Sequence, residues 1–160
     1  MKRLTLLLCI LLILSLFGCS APEADSRPSA EPEVLIETRY YTLTTPENWA
    51  DNCVIELKED KNGGDMLVVW EAESHKTEYG GHLFAIRLIP SNEEYDSFPV
   101  YELLATLNTP EGSFNVVVLF SDVVQQYSEE TAAAYQEVAK DIRNVLNSIR
   151  PKEGVEMTMP

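Results

Sequence analysis

VYELLATLNTPEGSFNVVVLF, running from Val100 to Phe120, is the stretch whose reading decides the fold. Val100–Leu107 and Ser113–Phe120 are rich in β-branched, aromatic and aliphatic residues, and Asn108-Thr109-Pro110-Glu111-Gly112 lies between them. Proline presets the backbone for a turn and glycine admits the angles that close one, so the stretch predicts a β-hairpin.

Upstream the pattern is also that of strands. Val34–Thr44 has β-branched and aromatic content, and Asn52–Lys58 alternates apolar with polar residues. Asp60-Lys61-Asn62-Gly63-Gly64-Asp65 offers turn chemistry before a further strand, Met66–Glu73. Gly80-Gly81 punctuates the chain again, and His82–Ile89 follows until Pro90 stops it. Pro46–Ala50 is a candidate helical turn, because proline is favoured at a helix start.

Downstream the period changes from two to about 3.6. Tyr135, Val138, Ala139, Ile142, Val145, Leu146 and Ile149 form one apolar stripe. Ser128 is a cap residue, Glu129 and Glu130 suit the positive end of the helix dipole, and Arg150 suits its negative end before Pro151. Ser128–Arg150 is therefore expected as one long helix. Such a stripe packs on a core. About six strands joined mostly by hairpins, followed by a long helix, make an α+β fold, a mainly antiparallel sheet with the C-terminal helix packed on it. The expected single domain is 34–150, with 151–160 a disordered tail lacking any periodic pattern.

The first residues carry a different signal. Lys2 and Arg3 precede an almost wholly apolar run, Leu4–Phe17. As a helix this run spans roughly 21 Å, short of the ~30 Å hydrocarbon core of a bilayer. It reads as the apolar region of a signal peptide, with an uncleaved anchor as the alternative. Leu16-Phe17-Gly18-Cys19 resembles the lipobox of bacterial lipoproteins, although Phe17 is larger than the residue usual at its place. The resemblance implies a signal peptide over 1–18, cleavage after Gly18 and S-acylation of Cys19, which would place the protein on the cell membrane, lipid-anchored on its extracytoplasmic face. Two or three acyl chains anchor stably where one is marginal. Ser20–Glu33, with three prolines and no large apolar residue, reads with Cys19 as a flexible tether over 19–33. It reaches about 20 Å as a coil and roughly 43 Å as polyproline helix.

The chain carries a formal charge of −14, and loss of Lys2 and Arg3 with the signal takes it to −16. That balance argues against nucleic acid as a partner, since phosphates need Lys and Arg. It also argues against unaided docking on anionic lipid. Of the three cysteines, Cys9 would leave with the signal and Cys19 would carry lipid. Cys53 remains, alternating with Ile55 and Leu57, and is expected to be a small core hydrophobe without a disulfide partner.

Tyr41-x-Leu43-x-x-Pro46-x-x-Trp49 resembles the opening of PsbP-like domains, in which a strand runs into a proline turn and a buried tryptophan. Gly80-Gly81-His82-Leu83-Phe84, Ser121-Asp122-Val123 and the closing Asp141–Ile149 segment are similar to lipoprotein domains of anaerobic Gram-positive bacteria. The resemblance covers most of 40–150 and implies an antiparallel sheet with helices, at a cell-surface address. It implies no shared activity.

No catalytic, metal-binding or cofactor motif is legible. HExxH, CxxC, EF-hand spacing and phosphate-binding glycine patterns are absent, and two His with one Cys barely supply a zinc site. No cofactor is expected. Carboxylate pairs, Glu71 with Glu73 and Glu93-Glu94 with Asp96, follow from an acidic composition; Glu71 and Glu73 are expected on one solvated strand face. A thiol nucleophile would need a base, and His75 or His82 could serve Cys53 only if the fold joins them; His75 is expected in a solvated polar turn. Aromatic residues crowd the middle of the chain, from Trp49 and Trp70 through Phe84 to Tyr101. Tyr79, Tyr95 and Phe98 fall in loop-forming segments and make the candidate binding surface, the alternative being that they pack under their own loops. The leading expectation is a non-catalytic envelope protein, held to the membrane through the lipid on Cys19, that binds another protein or an envelope component. One alternative is an envelope hydrolase or thiol enzyme using Cys53 or paired carboxylates with His82. The other is an accessory lipoprotein for assembly of a membrane complex.

Overall fold

The computed structural model describes residues 33–59, 64–78, 80–95, 99–121 and 128–160. In chain order these form β1 (Glu33–Glu37), β2 (Tyr41–Pro46), α1 (Trp49–Asn52), β3 (Cys53–Glu59) and β4 (Asp65–Glu71). Then come α2 (Ala72–Glu78), β5 (His82–Pro90), β6 (Tyr101–Thr109), β7 (Gly112–Leu119), α3 (Glu129–Ala139) and α4 (Ile142–Asn147). Two short strands close the chain, β8 (Arg150–Pro151) and β9 (Glu156–Thr158).

The larger sheet has six strands in the order β3-β4-β5-β7-β6-β9, with every neighbouring pair antiparallel. Alternation sends Leu67, Val69, Ile86, Leu88, Val116, Val118 and Leu107 into one buried cluster. Two bulges interrupt that period. Between Val69 and Trp70 the register shifts against β5, so the consecutive Leu83 and Phe84 both join the cluster. The shift between Leu103 and Ala105 does the same for Leu104 and Ala105. An extra residue on one strand costs a ladder bond but turns two neighbouring side chains inward. On the opposite face Val68, Ala85 and Val117 are buried as well, which explains the unbroken apolar run in β7.

The smaller sheet, β1-β2-β8, presents Tyr41 and Leu43 from β2 to the same cluster. The helices add Val138 from α3, Val145 and Leu146 from α4, and Ile149 after it. Ser128 caps α3 as expected, its hydroxyl accepting the Thr131 N–H at 3.3 Å. The fold is thus α+β, mostly antiparallel, with helix at its C-terminal side.

The structure corrects three expectations. Ser128–Arg150 is two helices, because at Asp141 the N–H bonds back three residues to the Val138 carbonyl, breaking the four-residue ladder. The second helix ends where the Ser148 hydroxyl accepts the Thr44 N–H at 2.8 Å and ties the chain to β2. The segment 151–160 is ordered: Pro151 pairs with Tyr41, and β9 pairs with β6 through Leu107 and Met157. Glu73 lies in α2, beyond the end of β4, so Glu71 and Glu73 share no strand face.

Candidate functional site

Of the sequence-derived surface, Tyr95 is described; Tyr79 and Phe98, like Cys19 and the whole 1–32 segment, lie outside the described residues. Tyr95 is half-buried and meets Tyr101 edge to face, with ring centroids 5.5 Å apart and planes at 83°. The two rings and the side chains of Glu93 and Glu94 line an open hollow of about 300 Å³. Glu93 and Glu94 are exposed, as are Val100 and Tyr101 beside them.

The hollow is held from both sides by backbone. Beyond β5 the Ser91 N–H bonds the Ser113 carbonyl at 2.9 Å, and the Glu93 N–H closes a turn onto Pro90 at 2.8 Å. Across from it Tyr101 opens β6 opposite Leu119, and the Phe120 N–H bonds the Val100 carbonyl at 3.1 Å. Tyr101 belongs to the aromatic-rich middle of the chain but sits on a strand rather than a loop. The ring pair joins the turn beyond β5 to the first residue of β6.

The residues of the enzymatic alternative fall elsewhere. Cys53 is half-buried and packs against the core cluster. Burial, and then the charge of Glu71 opposite it in the β3–β4 register, push its thiol up to about 12. His82 pairs with Trp70 on the other side of β4, whereas Cys53 pairs with Glu71. Successive strand residues point to opposite faces, so the thiol and the imidazole are two strands, roughly 10 Å, apart and on opposite faces of the sheet. The fold does not bring them together.

His82 has other partners. Its Nδ1 lies 3.0 Å from the Ser121 hydroxyl, Trp70 meets its ring edge-on at 6.4 Å, and the Tyr135 hydroxyl donates to its carbonyl at 3.1 Å. Burial pulls its imidazole below the ordinary histidine value. His75 is not in a solvated turn: it lies in α2, stacked on Trp70 at 4.8 Å, with Nδ1 buried and without a hydrogen-bond partner.

Glu71 is 1 % exposed rather than solvated. Its carboxylate accepts the N–H groups of Glu73 at 2.9 Å and Ser74 at 2.7 Å, capping α2. This role is structural: two orphan helix donors are satisfied by a charge placed at the positive end of the dipole. Among the described residues no three His, Cys, Asp or Glu side chains converge as a metal site, and no helix is long and apolar enough to cross a membrane.

No protein-family model matches the chain, and no curated protein or solved structure matches it.

Proposed function

We propose that the chain is a lipid-anchored, extracytoplasmic binding protein of the cell envelope, tethered through Cys19 and acting without catalysis. The observation that carries this reading is the hollow at Glu93, Glu94, Tyr95 and Tyr101, where an edge-to-face tyrosine pair stands open to solvent between hydrogen-bonded backbone segments. Rigid aromatic side chains supply contact area at low entropic cost, which suits them to a protein or envelope partner. The tether of 19–33 would keep that contact within a few tens of ångströms of the membrane.

A PsbP-like arrangement is the finer fold reading. Tyr41, Leu43 and Trp49 of the resembling motif are all fully buried, with Pro46 closing β2 between them, which supports it.

The hydrolase alternative has one observation of its own, the Ser121 hydroxyl 3.0 Å from His82 Nδ1. An imidazole can activate a hydroxyl at that distance.

The test joins address to contact. Cells fed an alkyne fatty acid are expected to label the wild-type chain and not Cys19→Ala. A photo-crosslinking residue at the exposed Asn92 is expected to capture a discrete envelope partner in intact cells, and one at the exposed Asn144 on α4 is not. Absence of lipid label would sink the anchoring. Equal capture from both positions would sink the contact face.

A further inference from the structure

We infer that the Tyr95–Tyr101 hollow is a cation-recognition site that takes a lysine or arginine side chain from a partner protein. The inference rests on the contact face proposed above and names its chemistry.

Among the described residues the hollow is lined by Glu93, Glu94, Tyr95 and Tyr101, two acidic and two phenolic residues, and none of these is cationic. An ammonium or guanidinium group is drawn to the electron-rich face of an aromatic ring and to a nearby carboxylate by the same sign of field. An edge-to-face pair uses one face of one ring, so ring surface is left for a further group. At about 300 Å³ the space is at the lower limit for ligand pockets, which suits one inserted side chain better than a large organic ligand.

The rest of the molecule agrees with that choice. Acidic residues outnumber basic ones 26 to 12, so the chain's field attracts cationic surfaces and repels acidic ones. Three of the described basic side chains are engaged elsewhere in the fold: Arg39 with Asp65 and Glu111, Arg143 with Glu102, Lys152 with Glu37.

The full-length chain in detergent micelles, followed by NMR of its tyrosine rings, tests this. N-acetyl-lysine methylamide and N-acetyl-arginine methylamide are expected to shift Tyr95 and Tyr101 saturably, and the uncharged N-acetyl-norleucine methylamide is not. Glu94→Gln and Tyr101→Leu should each weaken the lysine probe by about three- to five-fold, the range for partly exposed cation–π contacts and ion pairs. Added salt should weaken it further, because screening acts on exposed charge.

Equal shifts with norleucine, or none with either cation, overturn the inference. Tighter binding of 1,4-diaminobutane than of the lysine probe would assign a free amine instead of a protein side chain. A response to N-acetylglucosamine alone would assign a sugar. If Asn92 captures a partner while the cations fail, the contact face stands and its chemistry is wrong. If both fail, the contact face itself is wrong.

Discussion

Glu71 Oε2 accepts the backbone N–H of Ser74 at 2.7 Å inside the protein, so the last residue of β4 is also the cap of α2. Strand and helix are joined there without a connecting loop, and the charge is answered by helix N–H groups. Glu71→Ala removes the acceptor and leaves one buried and one part-buried donor unpaired; a loss of about 2–3 kcal/mol is expected, the sum of a cap and charge-assisted hydrogen bonds. Glu71→Gln keeps one oxygen and should lose about half as much. Urea unfolding monitored by tryptophan fluorescence measures both, and a Glu71→Gln variant as stable as the wild type would show that the carboxylate's second oxygen and charge are irrelevant.

The same junction fixes Gly81. Its φ is +76°, and a Cβ there would stand 2.7 Å from the Glu71 carbonyl oxygen and 2.9 Å from Ser74 Cβ. Gly154 has a φ of +77° and open space around it. Gly154→Ala therefore isolates the backbone cost, about 1–2 kcal/mol, whereas Gly81→Ala adds a clash with backbone that cannot yield. Gly81→Ala should lower the urea midpoint at least twice as far, and matching midpoints would refute the close approach.

Cys53 gives a stability slope on the alkaline side. Its folded pKa is raised from 9.0 to about 12, so between those values the folded chain keeps a proton that the unfolded chain has lost. Stability is fully present below the unfolded value and falls as pH rises through this window. Cys53→Ser should flatten the slope in a pH series of urea midpoints. The native thiol should also react with iodoacetamide far more slowly at about pH 8 than the denatured one, since the thiolate is the nucleophile.

His82 acts on the acidic side with the opposite proton count. Burial holds its folded pKa below the ordinary value, so on acidification through about pH 6.5 the unfolded chain binds a proton first. Stability should fall as pH drops through that value, and His82→Gln should remove this part of the slope while leaving the carboxylate part. An unchanged profile in the variant would place His82 in solvent.

Period and turn chemistry made much of this fold readable. The Asn108–Gly112 turn does join β6 to β7, with Thr109 opposite Gly112, and Ser128 does cap a helix. What escaped depends on contacts that no local window contains. Glu71 reads as a solvated charge because its compensation is a helix that starts one residue later. Leu83-Phe84 and Leu104-Ala105 break the two-residue period because bulges turn both members inward. Tyr95 was legible as a loop aromatic, but its partner Tyr101 was not, since the contact joins a turn residue to the first residue of a strand and no local window pairs them.

The C-terminal segment is the sharpest case, because a run with no period was expected to fray. Gly154 at positive φ turns the chain, Val155 and Met157 then pack on the core cluster, and Met157 lies opposite Leu107. The alternation of Val155 and Met157 was the available signal, but two apolar residues do not separate a strand from chance. Burial of two partly covered side chains is worth about 2–3 kcal/mol. Deleting residues 155–160 should therefore destabilise the protein by that amount and raise hydrogen exchange at the β6 amides that face β9. A truncated chain with unchanged exchange at Thr106–Asn108 would show that β9 adds nothing to the sheet.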